Sequence, residues 1–397
     1  MKLWAVLIVV TIIVVPFSNI LHFIFPVSNI LGKSAWVVVP TVTIIAIYLS
    51  SFLNNLKAGR LPRFDFFVVT MIVISVLIHW LRSLIHNEEQ SYLDLRYIAT
   101  SFIYLMIARR MVSNLIILKV LAWALIIQGL LVALLVIINF HIYPTLSLNF
   151  DTTGTLGIIF DGLESRNRLL NASISANQIL CSIFVLSALV KKGFLNKDYF
   201  LILAGQLFML YAISLGGSRF PMAVAISIII IIFLLRLHVY AIVCILTFGL
   251  LVSTYLVLTS QFENILHIGR GFGGRPEKLR LSLQILTESS LNFIFGSSQF
   301  EASNSFSDGG IGISDNSYMN VSLSLGLPFA VIYFSSLLNF IRIRITDNLS
   351  LFFLSYLIIG FGLTNCVLWE SWLCIALFSG VVITKLGQIG KTEQLRI

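Results

Sequence analysis

Residues 111–138 read MVSNLIILKVLAWALIIQGLLVALLVII, a run with one charged side chain, Lys119, near its beginning. A helix that crosses a bilayer needs ~20 predominantly apolar residues. Here the apolar side chains follow one another continuously instead of alternating with polar ones, which favours a helix over a strand. This stretch therefore predicts a transmembrane helix.

The same pattern recurs along the whole chain. Of its 397 residues, 58% are apolar and 11% are charged, whereas a soluble domain carries about 25% charged residues. We therefore predict an all-α polytopic membrane protein with about twelve transmembrane helices in a single membrane domain, residues 1–397. The predicted spans are Leu3–Phe25, Ser34–Leu53, Phe64–Leu81, Leu93–Ala108, Met111–Ile138, Leu169–Val190, Tyr199–Leu215, Phe220–Leu235, Val239–Thr259, Ser317–Ile341, Leu349–Leu368 and Trp372–Lys385.

The distribution of Lys and Arg predicts the orientation of these spans. With the N-terminus in the cytoplasm, the inner loops and termini hold 15 Lys and Arg residues against four acidic residues. Short cytoplasmic loops are enriched in Lys and Arg, so both termini are predicted to be cytoplasmic and residues 139–168 and 260–316 to lie outside. The net charge of +9 is then a consequence of topology and does not argue for nucleic-acid binding.

The segment between spans nine and ten, residues 260–316, is the one long polar stretch, and it predicts a large extracytoplasmic loop. Pro276 stands at a favourable first-turn position for a helix. The pattern that follows predicts an amphipathic helix suited to lie on the membrane or cover a cavity. Its polar face would carry Glu277, Arg280, Gln284 and Glu288, and its apolar face Leu279, Leu283 and Leu286.

Cations on the outer side run against the usual bias, and an anionic substrate would explain them. Arg219 follows Gly216-Gly217-Ser218 at the start of span eight, and Arg270 and Arg275 flank the glycine-rich run Gly271–Gly274. Glycines let the backbone approach a phosphate, and a guanidinium or a helix N-terminus stabilises its charge. The alternatives are an interfacial arginine reaching to lipid headgroups and a plain flexible turn.

Two further outer positions carry polar side chains at the ends of spans. Arg166 precedes span six, whose first turns contain Asn177; this indicates either a cavity wall or hydrogen bonds between helices. Asp315 and Asn316 precede span ten, where they fit a helix N-cap, or a general base in the case of Asp315. The His and Cys residues have no metal-ligand spacing, so we expect neither a metal nor another cofactor.

At three of these places the chain resembles the superfamily of O-antigen polymerases and O-antigen ligases, which are bacterial membrane glycosyltransferases. The similarity lies in Gly217-Ser218-Arg219, in Gly274-Arg275 with the leucine-rich helix and Phe295-Gly296 after it, and in Asp315-Asn316-Ser317-Tyr318 with Leu325-Gly326-Leu327-Pro328. The number of spans and the outer loop before span ten are also similar. Ligases of this group typically have histidine where this chain has Asp315, which favours a polymerase.

The resemblance implies an enzyme of the bacterial inner membrane that transfers a growing glycan from undecaprenyl pyrophosphate to a lipid-linked repeat unit at the outer leaflet. Its partners would be the undecaprenyl-pyrophosphate-linked oligosaccharide, membrane lipid, a chain-length regulator and a flippase. We expect Arg219 and Arg275 to bind the pyrophosphate and Asp315 to act as the base. Further substrate contacts are expected from Arg270, Arg280, Arg166, Asn177 and Asn316. The alternatives are a ligase of the same superfamily and a transporter or flippase for a polysaccharide lipid.

Overall fold

The computed structural model is helical in almost every part that it describes. Those parts are residues 63–86, 101–108, 115–141, 172–191, 199–215, 219–230, 275–297, 316–342, 347–363 and 370–394, a hairpin at 29–30 and 33–34, and isolated helical residues at 6–12 and 42–57. The two strands of the hairpin, Asn29–Ile30 and Lys33–Ser34, pair antiparallel with Asn29 opposite Ser34. The prediction of a helical protein is therefore confirmed.

Eleven helices with stated bounds follow one another along the described chain. They are α1 (Arg63–His86), α2 (Leu115–His141), α3 (Ala172–Lys191), α4 (Tyr199–Leu215), α5 (Arg219–Ile230), α6 (Arg275–Thr287), α7 (Ser290–Phe295), α8 (Ser317–Leu325), α9 (Leu327–Arg342), α10 (Asn348–Leu363) and α11 (Glu370–Gln394). Residues 101–108 are helical as well. Most of these bounds lie within a few residues of predicted spans, and α4 coincides with one. Helix α11 continues nine residues beyond the predicted end at Lys385.

Within the described residues, one helical stretch, Leu115–Ile138, has both the length and the apolar composition to cross a membrane. Seven other apolar helical stretches in that part of the chain are 10–17 residues long. The model thus confirms the helices, and the twelve spans stay a prediction. Span nine, most of spans one and two, and the first half of span four lie outside the described residues.

Helices α2, α3 and α11 form the centre of the bundle, and α4 and α5 pack beside α3. A small residue allows α2 and α3 to approach closely, because a Cβ on Gly129 would overlap the side chain of Ser182. The Ser182 hydroxyl donates across this contact to the carbonyl of Leu125, at 2.7 Å. In surroundings as apolar as the side chains themselves, burial of apolar surface does little to hold two helices together. Small residues that allow close packing, and hydrogen bonds from a side chain to a neighbouring backbone, then stabilise the contact.

Span ten, predicted as one helix over Ser317–Ile341, is instead broken at Gly326. This glycine has φ +86° and ends α8, its N–H donating to the carbonyl of Ser322 at 2.8 Å. Pro328 then stands in the first turn of α9, where its missing N–H costs no helical hydrogen bond. The prediction of a continuous helix was therefore wrong, because the backbone conformation at Gly326 is incompatible with one.

Helices α6 and α7, from the segment predicted to be an outer loop, meet the chain at this break. The Asn292 side chain donates through Nδ2 to the carbonyl of Ile285 at 3.1 Å, which joins the start of α7 to the end of α6. Gly296, with φ +87°, ends α7, and the N–H of Ser297 donates to the carbonyl of Leu323 at 2.7 Å. Helix α1 packs against both α7 and α8. The segment 275–297 is thus docked on the bundle through backbone hydrogen bonds.

The amphipathic helix predicted after Pro276 is present as α6, and its predicted apolar face is correct at Leu286 and Leu279 and wrong at Leu283. Leu286 is buried against Leu323 of α8, and Ser282 is buried beside it on the same face. Leu283, expected on the apolar face, is 41% exposed. Residues 282 and 286 are one turn apart, whereas 283 points about 100° away from 282. The buried face therefore uses a small serine where a leucine was predicted.

Candidate functional site at the C-terminal half of helix α10

Asn177, predicted as a substrate contact, is held by a tyrosine from a distant part of the chain. Its side chain is buried in the second turn of α3, and its Oδ1 accepts a hydrogen bond of 2.7 Å from the hydroxyl of Tyr356 on α10. Because Tyr356 donates, the acceptor edge of the amide faces α10. Two alternatives were expected for the polar residues at this helix end: hydrogen bonds between helices, or a cavity wall. The bond from Tyr356 to Asn177 is a hydrogen bond between helices.

The beginning of α5 lies against the same tyrosine. Phe220, the second residue of α5, stacks on the ring of Tyr356 with ring centres 6.1 Å apart and planes inclined by 19°. Arg219 is the first residue of this helix, so its backbone is at the helix N-terminus, next to Tyr356. The side chain of Arg219 lies outside the described part of the structure. An N-terminal helix end carries about half a positive charge, which favours an anion.

Asn316 is the N-cap of α8, and its neighbour Tyr318 contacts the next two turns of α10. The Oδ1 of Asn316 accepts from the backbone N–H groups of Tyr318 and Met319, at 2.9 and 3.2 Å. Tyr318 donates through its hydroxyl to the carbonyl of Ile358 at 2.8 Å, and its ring packs edge-on against Phe361. Of the two residues that fitted an N-cap, Asp315 and Asn316, the cap is therefore Asn316, whose Oδ1 is engaged in it.

These contacts place the beginnings of α3 and α5 on one side of α10, at Tyr356, and the beginning of α8 on another side, because Phe361 points about 140° away from Tyr356 around the helix. Tyr356, Ile358 and Phe361 span about 8 Å along α10, since a helix rises 1.5 Å per residue. The N-terminal turns of α3, α5 and α8 meet this part of α10 through Asn177, Phe220 and Tyr318 respectively. The N–H ends of α3 and α5 both lie near Tyr356, where they favour an anion. Within the described chain, Asn177 and the backbone of Arg219 therefore come near the same tyrosine, whereas Asn316 begins α8, which contacts another side of α10.

Five predicted site residues remain, and among them only Arg280 has a described side chain. The side chain of Arg280 is exposed on α6, and the backbone of Arg275 begins that helix, whose other end packs on α8. The side chain of Arg275 and all of Arg270, Arg166 and Asp315 lie outside the described residues. A cavity shared by Arg219 and Arg275 stays a prediction. Among the residues described, no group of three His, Cys, Asp or Glu side chains is arranged to hold a metal ion.

Two residues of this site were not expected from the sequence, Tyr356 and Tyr318. Tyr356 lies in an apolar run, in which only its hydroxyl distinguishes it from core residues, whereas Tyr318 follows Asp315-Asn316-Ser317 in a segment singled out for its resemblance and not for a role of the tyrosine. Buried tyrosine hydroxyls usually have a hydrogen-bond partner, so a tyrosine inside a predicted span is a signal for a polar contact. The partner is 179 positions away for Tyr356 and 40 for Tyr318, and spacing alone could not identify it.

Neither a model of a known protein family nor a curated protein matches this chain.

Proposed function

We propose that this chain is a multipass enzyme of a bacterial inner membrane that polymerises a surface polysaccharide. It would transfer the growing glycan from undecaprenyl pyrophosphate to a lipid-linked repeat unit at the outer leaflet. In this proposal about twelve helices cross the membrane, both termini are cytoplasmic, and residues 260–316 form an extracytoplasmic loop. The observation that carries the proposal is the meeting of the α3 and α5 beginnings, with Asn177 and the Arg219 backbone, at Tyr356 of α10.

Placement in a membrane is supported by the polarity of the helix surfaces. The most exposed described side chains include Phe66 on α1, Ile116 on α2 and Leu201 on α4, at 66%, 71% and 70% exposure. The amides of Gln128 on α2 and Gln206 on α4 are instead fully buried. In water, exposed apolar surface costs ~25 cal/mol per Å², whereas lipid solvates it. Polar groups inside and apolar groups outside are the arrangement that a bilayer favours.

The chemistry follows from a lipid-linked pyrophosphate as leaving group. The acceptor sugar hydroxyl attacks the anomeric carbon, the bond from that carbon to the pyrophosphate oxygen breaks, and undecaprenyl pyrophosphate departs with the electron pair. Asp315 accepts the hydroxyl proton. Negative charge grows on the leaving group, and the guanidinium groups of Arg219 and Arg275 together with the helix beginnings stabilise it. Arg270, Arg280 and Arg166 supply further positive charge. The resemblance to O-antigen polymerases supports these roles.

A transporter or flippase for the same class of lipid is the second candidate, and one observation favours it. Span ten is interrupted at Gly326, and discontinuous helices are common at the substrate sites of transporters. A ligase is the nearest alternative within the resembling superfamily. The surface glycan of a deletion strain separates the three: single attached repeats support the polymerase, absence of attached repeats supports the ligase, and lipid-linked units retained inside support the flippase.

The direct test is substitution of the two arginines in that strain. Loss of a charge-assisted contact costs ~1.5–3 kcal/mol, so Arg219→Ala and Arg275→Ala should shorten or abolish the polymer while the protein remains at normal abundance in the membrane. Lysine at either position should restore only part of the chain length, because it cannot bind in the two-pronged geometry of a guanidinium. Arg82→Ala, at a cation predicted just outside span three, is the control. Normal chain lengths in both alanine variants would refute the assignment.

A further inference from the structure

Helix α7 has its polar and apolar side chains arranged opposite to those of a helix on a protein surface in water. Leu291, Phe293 and Ile294 are 47%, 39% and 45% exposed, whereas Asn292 between them is 8% exposed. We call these three exposed side chains the α7 apolar surface. Leu283 of α6 is 41% exposed as well. Exposed apolar surfaces of this kind mark a contact with a protein partner or with a membrane.

Both ends of α7 are closed by hydrogen bonds within the chain. At the beginning, the Ser289 side chain accepts from the N–H of Asn292 at 3.0 Å. At the end, the N–H of Gly296 donates to the carbonyl of Asn292 at 2.9 Å, and the N–H of Ser297 donates to the carbonyl of Leu323 at 2.7 Å. Lipid acyl chains cannot bond to backbone groups, so a helix end in contact with them needs partners in the protein. Helix α7 has such partners.

The contact between α7 and the break in span ten gives the depth of α7 in the proposed membrane. Helix α9, Leu327–Arg342, has 16 residues, which span ~24 Å at 1.5 Å per residue. With Arg342 at the inner edge of a hydrocarbon layer ~30 Å thick, Gly326 lies ~6 Å below its outer edge. Gly326 is in direct contact with the backbone of Ile294. A helix at a membrane surface buries its apolar face about 5–10 Å into this boundary, and α7 is at that depth.

Helix α1, which packs against α7, has an apolar exposed surface of its own. Its second half exposes Trp80, Leu81 and Leu84, at 48%, 38% and 59%. Trp80 stands beside the predicted outer end of span three, and tryptophan is enriched where a membrane meets water. The exposed surfaces of two helices in contact are thus both apolar, and the acyl chains of one leaflet would cover both.

We propose that α6 and α7 lie at the boundary between headgroups and acyl chains of the outer leaflet, with the α7 apolar surface in contact with the acyl chains. The exposed polar side chains of α6, Arg280, Gln284 and Glu288, then face the headgroups. This inference rests on the proposed function for the membrane and its orientation. It adds that Arg280 stands at the level of the headgroups, where the pyrophosphate of a polyprenyl-linked lipid also lies.

The test measures which medium surrounds α7. In a background with the four native cysteines replaced by alanine, nitroxide spin labels are attached at Phe293→Cys and Ile294→Cys. The labelled full chain is reconstituted in vesicles of phosphatidylethanolamine and phosphatidylglycerol. Collisions of each label with oxygen, which concentrates in acyl chains, and with nickel ethylenediaminediacetate, which stays in water, are measured by electron paramagnetic resonance. Thermal unfolding of the labelled variants in detergent checks that they are folded.

Two further labelled positions are the controls. Leu207→Cys is at an exposed residue in the middle of α4, within predicted span seven, and should be surrounded by acyl chains. Gln284→Cys is on the exposed polar side of α6 and should be reached by the nickel compound. We expect the ratio of oxygen to nickel collisions at both α7 positions to exceed that at Gln284→Cys several-fold and to stay below that at Leu207→Cys.

The other outcomes separate this inference from the proposed function. A ratio at both α7 positions as low as at Gln284→Cys, with a high ratio at Leu207→Cys, would place α7 in water and overturn the inference alone. Few collisions with either reagent at α7 would show that protein covers it, such as a second copy of the chain, and would overturn the inference as well. A low ratio at Leu207→Cys would overturn the membrane placement itself.

Discussion

Gly296 and Gly326 each lie against the backbone of the helix that the other one ends. A Cβ on Gly326 would overlap the carbonyl of Ile294 in α7, and a Cβ on Gly296 would overlap the carbonyl of Leu323 in α8. Both glycines have φ near +87°, a conformation that other L-residues rarely adopt. The ends of α7 and α8 are therefore in direct backbone contact, and a side chain at either glycine would separate them.

Substitution of Gly326 by alanine should destabilise the protein strongly. The positive φ alone costs a non-glycine residue ~1–3 kcal/mol, and the overlap with Ile294 adds to this. Gly205→Ala on α4 is the control, because a Cβ there meets no atom within 4 Å and alanine gains up to ~1 kcal/mol over glycine in a helix. Thermal unfolding of both purified variants in detergent measures the difference. Equal midpoints would show that α7 and α8 do not meet as described.

Asp315 and Asn316 can be separated by a pair of substitutions. Asn316→Ala removes the acceptor of two backbone N–H groups and should lower stability by ~1 kcal/mol. Asp315→Asn leaves this cap in place and removes only the proposed base, so polymerisation should fall about 10²- to 10⁴-fold at unchanged stability. Asn316→Asp, which caps equally well, is the control for the first variant. Polymer of normal length from Asp315→Asn would end the role of Asp315 as the base.

Gln128 gives a prediction about stability alone. Its side chain is fully buried in α2, and neither of its amide atoms has a hydrogen-bond partner among the described residues. An unsatisfied buried amide costs ~1–3 kcal/mol, so Gln128→Met, of similar length, should raise the unfolding temperature. The control is Gln206→Met, which removes a donor that is bonded to Ser187 at 2.9 Å and should not be stabilising to the same extent. A lower unfolding temperature for Gln128→Met would indicate a partner for this amide.

The predicted orientation is tested by cysteine labelling. In a background with the four native cysteines replaced by alanine, Ser303→Cys marks the loop predicted outside, and Asn196→Cys marks a predicted cytoplasmic loop. A membrane-impermeant maleimide, added to cells with a permeable outer membrane, should label Ser303→Cys and spare Asn196→Cys. The basis is the excess of Lys and Arg in the inner loops. Labelling at Asn196→Cys alone would reverse the topology.

The helices could be predicted from the sequence because apolar runs of limited length dominate it. The bounds of α4, Tyr199–Leu215, coincide with the predicted span. The break at Gly326 was missed although Gly326 and Pro328 are both helix-ending residues. Hydropathy averages over such positions, and the φ of Gly326 is set by its contact with Ile294, 32 residues earlier in the chain. A long-range backbone contact leaves no periodic signal in the sequence.

The site was predictable only in part. Asn177 and Asn316 attract notice because amides are unusual at the ends of apolar runs, and both have roles in the described structure. Their partners, and the stack of Phe184, Tyr356 and Phe220, depend on how α3, α5 and α10 meet. Aromatic side chains are common in apolar runs of any core. Their presence in the sequence therefore predicts that they are buried, but it does not predict which other residues they contact.

The backbone contact between α7 and α8 has a consequence for variation of the segment 275–297. Because Ser297 donates through its main chain to the main-chain carbonyl of Leu323, this bond depends on no side chain, and it adds to the burial of Leu286 against Leu323. Neighbouring positions on α6 and α7 that face away from this contact can therefore change while the segment keeps its place.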